Sequence, residues 1–382
     1  MELASASVQI MNSESNRDVL LISPSLNRGK GGVENLMWRI RERSRHRFTV
    51  LTEDPPLESR DHSMKVTRLE GAVQVTRFFL SHRHRFDVVY VSTAQIAHLL
   101  LAPWLLGTTT LIHAHGRDIF FDPSSLKTRV RALLSRFLIG EASRIFAVSE
   151  WTKEQILEAW GGAIEENVVG IPNGVDADRF QGGNGASIRD KYGITEEEFL
   201  LCTVARLDPR KGHRFVLEAL PDLPNCTYLI VGAGSHGDRL RDMIAEKGLS
   251  DRVVMTGFIP DEQLPDVYDA CDLFVMPSEH LEDSNNVEGF GISFLEANAA
   301  GKAVVGTWTG GIPTAVKHEE TGILCEPDSR AVGEAIKLLQ EDASLRRRLE
   351  QNAFRWAQDH DWSRIIDRVD DAIESAIASS RH

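Results

Sequence analysis

Two glutamates, Glu288 and Glu296, stand with seven residues between them, and Gly289-Phe290-Gly291 follows directly on the first. An apolar strand, Leu273 to Met276, precedes them across a polar loop from Pro277 to Asn286, and a short helix follows that Gly301 can end in a left-handed cap. A strand, then a glycine-rich loop, then a helix points backbone N–H groups at whatever sits above the strand ends, and helix N-termini hold anions there. A carboxylate beside a phosphate would repel it, so two of them imply neighbours that donate hydrogen bonds, namely hydroxyls. The simplest ligand with a phosphate flanked by hydroxyl groups on both sides is a nucleotide sugar, with Glu288 facing the sugar and Glu296 the ribose. The plainer alternative is an ordinary strand-to-helix turn with solvated carboxylates.

A second group is cationic. Arg206 and Lys211 lie five positions apart in a loop that follows the strand Leu200 to Val204. A guanidinium offers a planar fork to phosphate oxygens and an ammonium a point charge, so across a tight turn both can reach one diphosphate. Neutralising the charge that grows on a leaving diphosphate is the main electrostatic task of such a transfer. His113 and His115 sit at the carboxyl end of another strand, Thr110 to His113, where open α/β sheets bind ligands. With Asp118 they could hold zinc, but no further ligand is nearby and no metal is expected. Asp176-Ala177-Asp178 is a D-x-D, which elsewhere holds a divalent metal on a diphosphate. Here it follows an Asn-Gly turn and precedes a linker, so it reads as a turn and capping pair.

These residues also carry a resemblance. The Glu288 to Glu296 stretch with its central G-F-G looks like the signature of retaining glycosyltransferases of family four, which have the GT-B architecture. Val168 to Asp176 is similar to that family's P-N-G-V-D segment, and Arg206 to Gly212 resembles its G-R-L-x-x-x-K-G motif, with Ala205 in place of the first glycine. The resemblance implies that Gly31 and Gly32, in the loop after the first strand, close over the donor's diphosphate. It also implies that His115 reaches the transferred sugar and that Ile259, in Gly257-Phe258-Ile259-Pro260, receives the base through backbone atoms. Asn173 would border the donor. Amides at Gly31, Gly32, Phe290, Gly291 and Ile292 would assist Arg206 and Lys211 on the leaving diphosphate, with Gly289 allowing close approach. No side chain is obvious as a nucleophile, which fits front-face attack.

The elements that must position these groups alternate along the chain. Apolar strands at Asp18 to Ser23, Phe48 to Leu51, Val88 to Val91, Thr110 to His113 and Ile145 to Val148 are separated by helical stretches, the pattern of a parallel sheet covered on both faces. At 382 residues, two α/β domains are expected. The boundaries read as a flexible leader over 1–17, an acceptor-side domain over 18–180, a nucleotide-sugar domain over 181–360, and a C-terminal helix over 361–382 that crosses back onto the first domain. Gln181 to Ser187, with three glycines, reads as a flexible joint.

Composition narrows the classes. The formal charge of −13 falls almost entirely beyond residue 180, and without a Lys/Arg stripe there nucleic acid is not an expected partner. Four scattered cysteines read as reduced thiols of a cytoplasmic protein. Val88 to Leu106, broken by Gln95, His98 and Pro103, reads as a strand and a buried helix, not a membrane span. Leu126 to Leu138 is a basic amphipathic helix, taken as core-packed with a solvated basic face; the other reading is peripheral contact with anionic membrane.

The expectation is therefore a two-domain GT-B enzyme moving a sugar from a nucleoside diphosphate donor to a hydroxyl acceptor with retention, needing neither cofactor nor metal. A sugar-nucleotide epimerase of the same fold is the nearest alternative, and a non-catalytic scaffold a further one. A nicotinamide oxidoreductase would use Gly232-Ala233-Gly234-Ser235-His236-Gly237, a G-x-G-x-x-G after a strand. The next strand there, Val253 to Met255, ends in Thr256-Gly257 with no acid to grip a ribose.

Overall fold

In the computed structural model, the described residues are 16–26, 31–54, 66–68, 71–121, 125–281 and 287–380. They build two parallel sheets. The first contains β1 (Asp18–Ser25), β2 (Arg47–Asp54), β3 (Val66–Arg68), β4 (Val88–Val91), β5 (Thr109–Ala114), β6 (Arg144–Ala147) and β7 (Val168–Gly170), in the order β3-β2-β1-β4-β5-β6-β7. The second contains β8 (Phe199–Val204), β9 (Cys226–Val231), β10 (Val253–Gly257), β11 (Leu273–Val275), β12 (Val304–Thr307) and β13 (Gly322–Cys325), in the order β10-β9-β8-β11-β12-β13. Strands covered on both faces carry unbroken apolar runs, and every residue of β4, β5 and β9 is buried. This is the GT-B arrangement that the resemblance implies.

Strand order reverses between β1 and β4 in one sheet and between β8 and β11 in the other. Loops leaving two such strands diverge, and the gap at their carboxyl ends is where open sheets bind ligands. The loop after β8 carries Arg206 and Lys211, and the loop after β11 carries Glu288.

Three expectations need correction. The apolar stretch after β4 is a 3-10 run, Ala94–Leu100, and only then a short helix, Leu101–Leu105. Edge strands β3 and β7 are additional. The glycines of Gln181 to Ser187 are not a loose joint. A Cβ at Gly183 would lie 2.3 Å from the Pro265 carbonyl oxygen, and one at Gly185 would lie 2.6 Å from the Ala270 nitrogen. The Asn184 and Gly185 amides donate to Asp266 (2.7 Å) and Asp269 (2.8 Å), and Asn184 caps the helix Gly185–Tyr192. Small residues here serve close packing.

The C-terminal helix, Trp362–Ser379, does return to the first sheet's side. Its Ile365, Ile366, Val369 and Ile373 share one apolar cluster with Leu36, Met37 and Ile40 of the helix Gly32–Arg43. Where it departs from the second half, the Val175 amide donates to the His360 carbonyl (2.9 Å) and the Trp362 amide to the Val175 carbonyl (3.1 Å). The Trp362 ring packs so closely on Gly174 that a Cβ there would lie 2.6 Å from it.

Asp370 fixes the helix in register. Buried at 2% exposure, it accepts from the Ser44 hydroxyl (2.5 Å) and the Arg45 amide (2.9 Å). Replacing it with alanine removes the acceptor of both partly buried donors. Asp370→Ala should lower stability by about 1–3 kcal/mol, read as an earlier urea midpoint with an unchanged slope. An unchanged midpoint would show that the apolar face alone holds this helix.

Candidate active site

The second sheet's half of the site begins where β8 ends. Asp208 starts a one-turn 3-10 helix, Pro209–Lys211, by accepting the Arg210 amide (3.1 Å). Gly212 follows at φ +69°, and a Cβ there would lie 1.8 Å from the Pro277 carbonyl oxygen. Only glycine allows this turn to press on the end of β11. The pressure drives Lys211 inward to 8% exposure, where its Nζ donates to Met276 Sδ (3.6 Å) and to Glu288 Oε2. Arg210 Nη1 donates to the same oxygen (2.7 Å).

Glu288 is held from its backbone as well. Its carbonyl accepts the Gly311 amide (2.8 Å), and a Cβ at Gly310 would meet that carbonyl at 2.5 Å. Burial would raise the Glu288 pKa, but the charges of Lys211 and Arg210 overcome it and hold the carboxyl down at about 2. Burial lowers the Lys211 pKa and Glu288 opposes this. Arg210 also pairs with Asp208 (3.9 Å), so the two cations are matched by two carboxylates. Among the described residues, two of the three Lys211 N–H donors are used and Glu288 Oε1 has no hydrogen bond. Among the described residues, one donor that suits an anion and one acceptor that suits a hydroxyl thus stand side by side.

The helix Ile292–Ala299 starts at Gly291, whose φ of +93° lets the chain reverse over the buried Phe290. Ser293 Oγ donates to the Val204 carbonyl (2.9 Å), tying the helix start to the end of β8. It finishes as expected, with Gly301 left-handed (φ +73°) and the Lys302 amide donating back to the Ala297 carbonyl (2.9 Å). Glu296 Oε2 accepts from the Tyr268 hydroxyl (2.6 Å). Burial raises the Glu296 pKa, the Tyr268 bond opposes that rise, and Asp261 adds to it. Ile259 is buried beyond Gly257, next to an exposed Phe258.

The first sheet's half meets this one in direct contact. A Cβ at Gly289 would lie 2.1 Å from the His115 carbonyl oxygen, and one at Gly32 would lie 3.3 Å from Ile292 Cδ1. The Glu150 amide donates to Thr314 Oγ1 (3.1 Å). His115 Nε2 donates to the Ser92 carbonyl (2.9 Å), so the proton of the neutral ring sits there. Gly31 precedes the helix Gly32–Arg43, and Asn173 is buried in the loop after β7.

Some expected groups are placed differently. Arg206 is exposed and makes no ion pair with a described residue, while its neighbour Arg210, which the sequence reading passed over, joins Lys211 on Glu288. The signal was its adjacency to Lys211, but nothing in composition ranks two arginines in one turn. Asp176 stands at the N-cap position of the 3-10 helix Ala177–Phe180, but its side chain makes no capping bond: the carboxylate lies between Arg39 and Arg43 (2.6 Å to Arg43). Asp118 spends its oxygens on Thr93, Ala94 and His115, which shapes the loop after β5. His113 is fully buried, with Nδ1 on the Tyr90 hydroxyl (2.6 Å), and burial first, then His115, push its pKa well down.

The G-x-G-x-x-G segment is filled by protein. Cβ atoms at Gly232 and Gly234 would lie 1.9 Å and 2.2 Å from the Ala205 and Leu207 carbonyls, and the Gly232 and His236 amides already donate to carbonyls. Its glycines let the loop after β9 nest under the loop that carries Arg210 and Lys211.

Comparison with known proteins agrees with this geometry. Residues 185–356 match the family described as Glycosyl transferases group 1, and residues 30–179 match Glycosyltransferase Family 4. The chain is 30% identical over 327 residues to a GDP-mannose-dependent alpha-(1-6)-phosphatidylinositol monomannoside mannosyltransferase of Mycolicibacterium smegmatis, covering 83% of this chain and 79% of that one. It is 26% identical over 340 residues to a D-inositol 3-phosphate glycosyltransferase of Nocardia farcinica, covering 85% and 72%. Among solved structures, Anabaena HepE in complex with UDP superposes with a TM-score of 0.79 at 23% identity, covering 94% of this chain and all of that one. With two facing parallel sheets, and a basic turn and an acidic loop meeting between them, the chain belongs to the family-four glycosyltransferases of GT-B architecture.

Proposed function

We propose that this chain transfers a hexosyl group from a nucleoside diphosphate sugar to a hydroxyl acceptor, with retention at the anomeric carbon and without a metal ion. The observation that carries the reading is the Lys211–Glu288–Arg210 cluster at the carboxyl ends of β8 and β11. Lys211 offers its third N–H to the leaving diphosphate, exposed Arg206 reaches it from the rim, and the amides at Gly31, Gly32, Phe290, Gly291 and Ile292 supplement them. The charge a metal would otherwise supply then comes from side chains. Glu288 Oε1 takes sugar hydroxyls, Glu296 the ribose, and His115 meets the sugar from the facing half. With Oε2 locked by two cations, Glu288 is a poor nucleophile, which favours attack from the leaving group's own face.

Relatives named for GDP-mannose and a structural neighbour holding UDP make guanosine and uridine diphosphate sugars the first donors to test. Both named relatives act on inositol-containing molecules, so inositol phosphates are the first acceptors. One donor class at about 100 times its Kd should stabilise the fold by about 2.7 kcal/mol, visible as a raised Tm. The product should keep the donor's anomeric configuration by NMR, at a rate unchanged by EDTA. Donor incubated alone should keep its stereochemistry. An inverted product, an epimerised donor, or no thermal shift with any nucleotide sugar would each overturn the corresponding part of the proposal.

A further inference from the structure

The helix Leu126–Gly140 packs on the core and exposes its arginines as expected, but it also leaves much of its apolar surface uncovered. Its buried side is Ser135, Leu138 and Ile139, whereas Leu126 (78%), Val130 (57%), Leu133 (69%) and Phe137 (48%) are exposed. These four recur at the spacing of a single helical face. Trp104 meets Phe137 edge-on at 5.1 Å, which joins this stripe to the exposed Leu105 and Leu106 beside it. Val73 and Leu80 are exposed on the helix Ala72–His82 nearby. Of the twelve large apolar side chains exposed among the described residues, nine lie on these three segments. A soluble surface scatters such residues singly; a concentration marks a docking face.

Charge identifies the occupant. The whole chain carries −13, yet residues 71–86, 94–107 and 125–140 contain no aspartate or glutamate. They do carry exposed Arg77, Arg129 and Arg131, and Arg136 with its guanidinium over the Trp160 ring (5.0 Å). Among the described residues no helix is long and apolar enough to cross a membrane. An apolar stripe flanked by arginines and free of carboxylates suits the interface of an anionic bilayer, where side chains such as Leu133 enter the acyl boundary and guanidiniums meet headgroup phosphates. A cavity of about 140 Å³ opens among the same segments, between Val75, His98 and Arg131, and continues to Ser23 and Glu53 at the carboxyl ends of β1 and β2. The face is therefore continuous with the site's side of the first sheet.

We propose that this face, built on the helix Leu126–Gly140, docks the protein peripherally on an anionic lipid bilayer. The assignment is independent of which sugar is transferred. The full chain should cosediment with vesicles of mixed phosphatidylglycerol and phosphatidylcholine at least fivefold more than with phosphatidylcholine alone, and high salt should weaken the binding. Leu133→Asp with Phe137→Asp should reduce bound protein at least tenfold, as should Arg129→Glu with Arg131→Glu, with unchanged melting curves. Equal binding to both vesicle types, no binding, or binding undiminished in folded variants would overturn the proposal. So would a micromolar dimer, seen by light scattering without lipid, that the Leu133→Asp/Phe137→Asp variant disperses, since the face would then serve a second copy of the chain.

Discussion

Lys211→Ala should lower kcat/KM at least a hundredfold while leaving a folded protein. The ammonium is buried against Met276 and Glu288, and its third N–H, unpaired among the described residues, suits a phosphate oxygen. A preorganised donor in a site shielded from water is worth roughly 10²–10³ in rate, about 2.7–4 kcal/mol of transition-state stabilisation. Folding should survive because Arg210 still neutralises Glu288 (2.7 Å). The substitution also removes one of the two cations that hold the Glu288 carboxyl at about 2, so that pKa should rise. If ionised Glu288 takes the sugar hydroxyls, the acid limb of the pH–rate profile moves upward with it. Arg206→Ala, losing an exposed guanidinium, should cost closer to tenfold. A folded Lys211→Ala protein within threefold of wild type would sink the assignment of the diphosphate to this turn.

Gly289→Ala tests the other half of the argument, that both sheets must meet. The added methyl group would lie 2.1 Å from the His115 carbonyl oxygen, which is backbone and cannot rotate aside. The two halves must then separate at their point of closest approach. A displacement of about 1 Å in a reacting geometry can cost 10²-fold, so kcat should fall by one to two orders of magnitude. Nucleoside diphosphate should still raise the Tm, because the groups that would hold it, Lys211 and Arg206, belong to the second half. Full activity in Gly289→Ala would mean that the contact at His115 is incidental to transfer. Loss of the nucleotide-induced shift together with activity would point to a local collapse around Glu288 instead.

The parallel sheets were legible because buried strands such as Val88–Val91 and Thr109–Ala114 leave no polar alternation to misread. The helix ending at Gly301 was legible because its chemistry is local. Arg210 was not, since choosing between two arginines in one turn requires knowing that Gly212 is pressed against Pro277. The glycines before Tyr192 read as slack because composition does not show that the Pro265 and Ala270 backbones lie against them. The helix Leu126–Gly140 shows a further limit. Its periodicity reveals two faces, and only the neighbouring segments decide how much of the apolar one is covered.

The returning helix Trp362–Ser379 has a consequence for synthesis. The ribosome completes the first sheet's strands long before it reaches Trp362, so the groove around Leu36 and Ile40 emerges uncovered. Domains generally fold as units in order of emergence, yet here the earlier unit waits for a helix that follows the whole second sheet in sequence to shield it. A nascent chain stalled anywhere between β8 and Asp361 would present that groove to chaperones, because the first half is finished only once Trp362–Ser379 has emerged.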